Sequence, residues 1–150
     1  MQSKDYLQSL FGCQGRKAVV TGASSGLGAA MAEVLASAGA DVLIVARRAE
    51  RLETLAAELQ DCEGAVHTFS ADLSDSSAIA SLAEESQNQL GGCDILVANA
   101  GTANRVRLET MSEEDFTAVM DLNLKAQWLL AKALFPQLCQ SATGRIVNIA

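Results

Sequence analysis

The segment "KAVVTGASSGLG", Lys17 to Gly28, joins a short run of apolar residues to three spaced glycines. The run "KAVVT" is apolar without alternation, which predicts a strand that is covered on both faces of a parallel sheet. Gly22, Gly26 and Gly28 then predict a tight turn into a helix, whose N-terminal N–H groups and positive dipole suit a phosphate. The segment therefore predicts a strand, a phosphate-binding loop and a helix in succession.

Four more apolar runs follow and make the pattern repeat. With the first run they predict five strands, at 17–21, 41–46, 65–70, 94–100 and 145–150. Helical spacing separates these runs, so each strand connects to the next through a right-handed crossover. The sequence therefore predicts an α/β fold with a doubly wound parallel sheet of the Rossmann type, formed by one domain over residues 1–150.

Apolar residues at helical spacing predict four helices between the strands. The first carries a stripe of Leu27, Ala30, Met31, Val34, Leu35 and Ala38, with Gly39 as a left-handed stop. The second carries Leu52, Leu55, Ala56 and Leu59, and the third carries Ile79, Leu82, Ala83 and Leu90 and ends at Gly91 and Gly92. The fourth opens at a capping box of Ser112 and Asp115 and carries Phe116, Met120, Leu124 and Trp128 on its apolar stripe.

Composition excludes several classes of function. The net charge is −7, with 18 acidic and 11 basic residues and no basic stripe, which disfavours nucleic acid as a partner. No apolar run is long enough to span a bilayer, and the first residues lack a secretory signal, so we expect a cytoplasmic protein without a membrane partner. The four cysteines lie 31 to 49 residues apart without a CxxC pair, which predicts reduced thiols and no metal site.

The order of the strands predicts where a ligand binds. In a doubly wound sheet, ligands lie outside the carboxyl ends of the strands, at the point where the winding reverses. Here that point falls between the strands at 17–21 and 94–100. We therefore expect a cleft in which Gly22 faces Asn99.

The glycine spacing TGxxxGxG at Thr21–Gly28 resembles that of the short-chain dehydrogenase/reductase family, in its shorter, single-domain branch. Three further stretches resemble motifs of the same family: "ADL" at 71–73, "ANAG" at 98–101 and "DLNL" at 121–124. The resemblance covers residues 15–150. It implies an oxidoreductase that transfers hydride between a nicotinamide cofactor and a small carbonyl or alcohol substrate, such as a 3-oxoacyl thioester or a sugar acid.

The resemblance also implies the site residues. Those that would bind the cofactor are Gly22, Ser24, Ser25, Gly26, Leu27, Gly28, Asp72, Leu73, Asn99, Ala100 and Gly101. Asp72 would accept from the adenine amino group, although an Asp there can equally cap the next turn. Asn123 is implied as a catalytic residue in a proton relay. From its position on the apolar stripe of a helix alone, Asn123 would be a buried structural bridge.

The stretch "VARRAE", residues 45–50, bears on the choice of nicotinamide cofactor. Members of the family that bind NAD usually place an acid at the end of the second strand, where this chain has Ala46. Arg47 and Arg48 follow, and a guanidinium binds a phosphate through two parallel hydrogen bonds. We therefore expect NADP(H) to be preferred over NAD(H). The alternative is that both arginines are solvated residues leading into a helix.

The last stretch, "TGRIVNIA" at 143–150, resembles the strand that precedes the catalytic Ser, Tyr and Lys of the family. Of the four catalytic residues only Asn123 is matched, and Tyr6, the single tyrosine, has no Lys four positions later. We therefore expect an N-terminal fragment, truncated after the fifth strand and missing the C-terminal strands and helices of a homo-oligomeric enzyme. The alternatives are a noncatalytic NADP(H)-binding or sensor module, and an interaction protein that pairs through its fourth helix.

Overall fold

The computed structural model describes residue 6 and residues 10–149, and these contain one five-stranded parallel sheet. The strands are β1 (Lys17–Thr21), β2 (Asp41–Ala46), β3 (Val66–Ser70), β4 (Ile95–Ala98) and β5 (Arg145–Asn148). Their spatial order is β3-β2-β1-β4-β5, and every neighbouring pair is parallel. The predicted doubly wound fold is confirmed, and the winding reverses between β1 and β4 as expected.

The helices cover both faces of the sheet. They are α1 (Gly26–Ser37), α2 (Ala49–Glu58), α3 (Ser76–Leu90), α4 (Glu113–Met120) and α5 (Ala126–Gln140), with a 3-10 turn at Leu108–Thr110 and a π-helical turn at Asp121–Lys125. Alternate strand residues form one core with α1 and α2 and a second core with α3 and α5. Among the described residues, no helix is long and apolar enough to cross a membrane.

The helix ends follow the predicted signals. Gly39 adopts φ +92° directly after α1, and Gly91 caps α3 in the left-handed conformation at φ +71°. At the start of α4, the Ser112 hydroxyl accepts from the Asp115 N–H at 3.0 Å, and the Asp115 carboxylate accepts from the Ser112 N–H at 3.3 Å. The predicted capping box is therefore confirmed, with Asp in the position that Glu usually takes.

The predicted face of α1 is correct for Met31 and Leu35, which pack against the core, and wrong for Leu27 and Val34. Leu27 and Val34 are 68% and 67% exposed, and the face that packs on the sheet carries Gly28, Ala32 and Ala36. A Cβ at position 28 would collide with the carbonyl oxygen of Gly22. Because α1 lies so close to β1, only small side chains fit directly between them, and Leu27 and Val34 lie at the surface.

The predicted fourth helix is also corrected. It consists of α4, the π-helical turn and α5, and its expected stripe is largely exposed, with Leu124 at 60% and Trp128 at 59%. A π-helical turn inserts one extra residue and rotates all later side chains around the axis. The buried face of α5 therefore carries Ala126, Leu130, Leu134 and Leu138. Asn123, expected to be buried on this stripe, is exposed.

A buried hydroxyl joins the carboxyl ends of β1 and β4. Thr21 is fully buried, and its Oγ1 donates to the Val97 carbonyl at 3.3 Å. The same oxygen accepts from the N–H groups of Asn99 and Ala100, each at 3.0 Å. One side chain therefore uses its donor and both acceptor positions to hold the segment that leaves β4.

We expect replacement of Thr21 by Val to reduce the free energy of unfolding by about 1–3 kcal/mol, because two N–H groups lose their acceptor. Thr21→Ser keeps the hydroxyl and should cost only about 0.8 kcal/mol, the contribution of one buried carbon. Urea unfolding followed by circular dichroism measures both values. A loss in Thr21→Val no larger than that in Thr21→Ser would contradict the role of the hydroxyl, because Val keeps the volume of Thr and lacks only its hydrogen bonds.

The four cysteines are free thiols in different surroundings. Cys93 is buried between β4 and α3, and burial, followed by the nearby charge of Asp94, raises the pKa of its thiol to about 12. Cys139, on α5, is exposed. At neutral or mildly basic pH, Cys93 is therefore a protonated, packed side chain.

Alkylation of the folded protein with iodoacetamide at pH 8 is expected to modify Cys139 and leave Cys93 intact, since the thiolate is the reactive form. Mass spectrometry of the peptides reads out each site separately. Cys93 should become reactive only after addition of denaturant. Equal labelling rates at the two sites in the folded protein would contradict the burial of Cys93.

Candidate functional site: a cleft at the carboxyl ends of β1 and β4

A cleft of about 400 Å³ opens at the carboxyl edge of the sheet, within the usual size range of ligand pockets. Its walls come from the loops after β1, β2, β3 and β4. They are formed by Gly22, Ser24, Ser25, Leu27, Gly28, Ala46, Arg47, Arg48, Ala71, Asp72, Leu73, Asn99, Ala100, Gly101 and Leu122. The structure thus brings together every predicted cofactor residue except Gly26.

Glycine is required at two positions of the loop for steric reasons. Gly22 has φ +66°, and a Cβ there would lie 2.9 Å from both Asn99 Nδ2 and the Ala100 Cα. Gly28 lies against the backbone of Gly22, as described for α1. Gly26 has φ +59° with open space where a Cβ would be, and it does not line the cleft. Its expected approach to a pyrophosphate stays a prediction.

Asn99 ties the two sides of the cleft together. Its Nδ2 donates to the carbonyl oxygens of Thr21 at 3.0 Å and Gly22 at 3.3 Å. The side chain is therefore bonded to backbone that lies far away in sequence, at the start of the glycine loop. This arrangement holds Asn99, Ala100 and Gly101 beside Gly22, as the strand order predicts.

Asp72 closes the turn that was the structural alternative for it, and it also lines the cleft. Its Oδ1 accepts from the N–H of Ser74 at 3.0 Å and from its hydroxyl at 2.8 Å, which closes a turn after β3. These bonds, together with the charge of Arg47, lower the pKa of the Asp72 carboxyl. Asp72 also lines the cleft, and no hydrogen bond to its Oδ2 is found within residues 10–149. A contact to adenine stays a prediction.

The two arginines after β2 reach different parts of the cleft. Arg48 crosses to the glycine loop, where its Nη2 donates to Ser24 Oγ at 2.9 Å. Arg47 lies close enough to Asp72 for its charge to act on that carboxyl. In the part of the chain that the structure describes, neither arginine forms an ion pair. Both cations are therefore available to an anion, and the neighbouring position 46 is an alanine, which adds no carboxylate to this part of the cleft.

Sequence reasoning did not assign three of the residues that line the cleft. Ala46 enters the sequence argument only as the position where an acid is absent, and Ala71 is a small residue beside Asp72 with no chemical signal of its own. Leu122 lies in the π-helical turn and packs against the apolar core below the cleft. It belongs to the quoted "DLNL" stretch, but a continuous α-helix does not predict which of its residues turns inward.

Asn123 lies outside the cleft wall, next to Gly101. Its Oδ1 accepts from the Thr102 N–H, and its Nδ2 donates to the Thr102 carbonyl, both at 2.8 Å. The oxygen and the nitrogen of the Asn123 amide therefore both bind the backbone of Thr102, which directly follows Gly101 of the cleft wall. The expected part of Asn123 in a proton relay stays a prediction. No group of three or more metal-ligating side chains occurs among the described residues.

Comparison with known proteins places this geometry in a family. The family model for short chain dehydrogenases matches residues 16–150. Nodulation protein G of Rhizobium sp. (strain N33) is 42% identical over 140 residues, which are 93% of this chain and 56% of that protein. The chain thus spans about half the length of the curated relatives that it matches.

Solved structures agree with this match. A dehydrogenase/reductase from Sinorhizobium meliloti 1021 superposes with a TM-score of 0.91 at 33% identity, over 97% of this chain and 57% of that one. A short chain dehydrogenase from Burkholderia cenocepacia J2315, solved in complex with NADP, superposes with a TM-score of 0.85 at 34% identity, over 91% and 55%. The glycine loop, the sheet order and these matches together show that the chain belongs to the short-chain dehydrogenase family.

Proposed function

We propose that residues 1–150 form the NADP(H)-binding domain of an oxidoreductase that transfers hydride between nicotinamide and a small carbonyl or alcohol substrate. The observation that carries this proposal is the cleft between the glycine loop and the Asn99–Gly101 segment, with two unpaired guanidinium groups at its rim. The NADP complex of the Burkholderia relative supports the same class of cofactor.

The residues present fit a dinucleotide. The close contact between Gly22, Gly28 and Asn99 leaves no room for a side chain at positions 22 and 28, and the backbone N–H groups at the start of α1 suit a diphosphate. Leu73 and Leu122 would supply apolar surface for the adenine ring, and Asp72 Oδ2 would accept from its amino group; all three residues line the cleft. Asn99, Ala100 and Gly101 form the opposite wall, where the nicotinamide riboside would lie. The bound cofactor supplies or accepts the hydride.

The choice between the two nicotinamide cofactors follows from charge. A 2′-phosphate carries close to two negative charges at neutral pH, and a carboxylate at position 46 would repel it. This chain has Ala46 instead, and Arg47 and Arg48 stand beside it. The arrangement favours NADP(H) over NAD(H).

The rest of the reaction is proposed from the family. The resemblance places the Ser, Tyr and Lys that handle the proton after residue 150, and the curated relatives are nearly twice as long as this chain. Within this chain, Asn123 fixes Thr102 and thereby the wall on the nicotinamide side. We infer that the complete protein is a cytoplasmic homo-oligomer. A noncatalytic NADP(H)-binding module is the alternative, and turnover distinguishes the two.

NADPH is expected to bind the protein about ten- to a hundredfold more tightly than NADH, since a charge-assisted hydrogen bond contributes about 1.5–3 kcal/mol. A double variant, Ala46→Asp with Arg47→Gln, should reverse this order through repulsion of the 2′-phosphate and a new acceptor for the ribose hydroxyl. Calorimetric dissociation constants for both cofactors measure it. The preference should also shrink as salt is added.

Equal affinities in the unmodified protein, or a preference for NADH, would contradict the assignment of NADP(H). In that case Arg47 and Arg48 would be solvated residues at the start of α2. Arg145→Gln serves as a control, because it removes one positive charge from β5 rather than from the rim of the cleft. It should leave the ratio of the two dissociation constants unchanged.

Residues 1–150 alone are expected to bind NADPH but to show no ketone or aldehyde reduction above background, because no Tyr–Lys pair supplies the proton. The loss of NADPH absorbance with a panel of carbonyl compounds measures this. A chain extended with the family's Ser and YxxxK segment should gain turnover. Activity of residues 1–150 that survives removal of host reductases would overturn the proposal that these residues bind the cofactor while the Ser and YxxxK segment handles the proton.

A further inference from the structure

The chain that leaves the cleft wall is anchored twice to the helix that follows it. Directly after Gly101, both backbone groups of Thr102 bind the Asn123 amide. Two residues later, Asn104 Nδ2 donates to Asp115 Oδ1 at 2.7 Å. Asp115 lies in the first turn of α4, and Asn123 lies in the π-helical turn after it. The chain is thus held at both ends of α4.

The surroundings of Asn104 distinguish it from its neighbours. Asn104 is half-buried, whereas every other residue from 101 to 110 is exposed. Residues 103–110 form no other hydrogen bond or ion pair with the rest of the described chain. Its amide meets a carboxylate, and hydrogen bonds to an ionised acceptor are stronger than bonds between neutral groups. The contact of Asn104 with Asp115 therefore fixes this part of the chain.

The carboxylate of Asp115 serves both the helix cap and Asn104. Its Oδ2 accepts from the Ser112 N–H at 3.3 Å, as a capping box requires, and its Oδ1 accepts from Asn104. Glu is the usual acid at this position of a capping box, and its carboxylate lies one methylene further from the backbone. Position 115 thus carries a shorter acid, whose second oxygen has a partner outside the helix. Capping alone does not require that partner.

The bond from Asn104 is also one of the few attachments of α4. None of the α4 side chains is buried. Most of the stability of a helix comes from packing of its apolar face, so a helix without buried side chains depends more on polar contacts for its position. Among the described residues, Asp115 is the only α4 side chain with a hydrogen bond beyond the helix and its cap. The bond therefore ties α4 to the chain that leaves the cleft.

We propose that Asp115 is a positioning residue for the cofactor: through Asn104 it fixes the chain after Gly101, and with it the wall Asn99–Gly101, where the nicotinamide riboside would lie. This inference rests on the proposed binding of NADP(H). Asn99 is bonded to the glycine loop at the start of the wall, and Asn104 fixes the chain beyond its end. The wall is thus ordered before the cofactor binds, which lowers the entropic cost of binding.

The adenosine half of the cofactor is expected not to depend on this bond. Its proposed partners, among them Arg47 and Asp72, follow β2 and β3, which lie on the opposite side of β1 from β4. Loss of the Asn104 contact should therefore weaken only ligands that carry the nicotinamide riboside. Adenosine 2′,5′-bisphosphate lacks that half of NADPH, so comparison of the two ligands separates an effect on the wall from a general loss of structure.

Dissociation constants of both ligands are measured by calorimetry for the unmodified protein, Asn104→Ala, Asp115→Ala and the double variant. Ser112→Ala is the matched control, because it removes the hydroxyl that caps α4 and keeps the bond between Asn104 and the Asp115 carboxylate. Circular dichroism verifies that each variant is folded, and the emission of bound NADPH reports the surroundings of the nicotinamide. Asn104→Ala decides the question even if Asp115→Ala fails to fold, since position 104 lies outside the helices.

Asn104→Ala and Asp115→Ala are each expected to weaken NADPH binding about three- to tenfold, because the wall must then be ordered on binding. Binding of the bisphosphate should stay within twofold, and the emission of bound NADPH should change. The double variant should lose no more than Asp115→Ala alone, since the two residues act through one bond. Ser112→Ala should lower the unfolding midpoint and leave the ratio of the two dissociation constants unchanged.

Unchanged NADPH binding by Asn104→Ala would overturn the inference and leave the proposed NADP(H) function intact. Equal losses for NADPH and the bisphosphate would also overturn it, because they would show a general loss of structure. Additive losses in the double variant would show that Asp115 does not act through Asn104. If the unmodified protein binds neither ligand, the proposed function is wrong and the inference with it.

Discussion

The contact between the ends of β1 and β4 is the constraint on which the site depends. Thr21 offers one buried hydroxyl to three backbone groups of the segment Val97–Ala100, and Asn99 returns two hydrogen bonds to the backbone at Thr21 and Gly22. Because the strands are parallel and adjacent, these bonds form at the carboxyl edge, where the winding reverses. They hold the two loops at the distance that opens the cleft, so the binding geometry follows directly from the strand pairing.

Close packing of α1 on β1 has a second consequence for binding. The helix can approach the strand only because Gly28, Ala32 and Ala36 form its inner face. The close contact leaves no room for a side chain at positions 22 and 28, which lie against each other and against Asn99 at the start of the helix. The apolar residues Leu27 and Val34, which an amphipathic pattern would bury, are left at the surface. The need to admit a ligand to backbone therefore outweighs the burial of larger side chains in this helix.

The π-helical turn at Asp121–Lys125 shapes the other wall of the cleft. One extra residue in the helix brings Leu122 under the cleft and aligns the Asn123 amide with both backbone groups of Thr102. Such turns occur often at functional sites, where a regular helix would misplace a side chain. An exposed apolar face lies on both sides of the turn, with Phe116 and Met120 on α4, Leu124 in the turn and Trp128 on α5. The π-helical turn thus interrupts the helix at the residues that shape this wall of the site.

The sequence by itself determined the order of strands and helices, the glycine loop, the helix stops at Gly39 and Gly91, and the capping box at Ser112, because each depends on neighbouring residues and backbone preferences. It also predicted most of the residues that line the cleft, since their motifs follow the ends of particular strands. The tertiary structure alone decided which helix faces are buried, that Arg48 reaches Ser24 while Arg47 lies near Asp72, and that Asn104 binds Asp115. These features depend on distances between segments that are remote in sequence, which neither periodicity nor composition specifies.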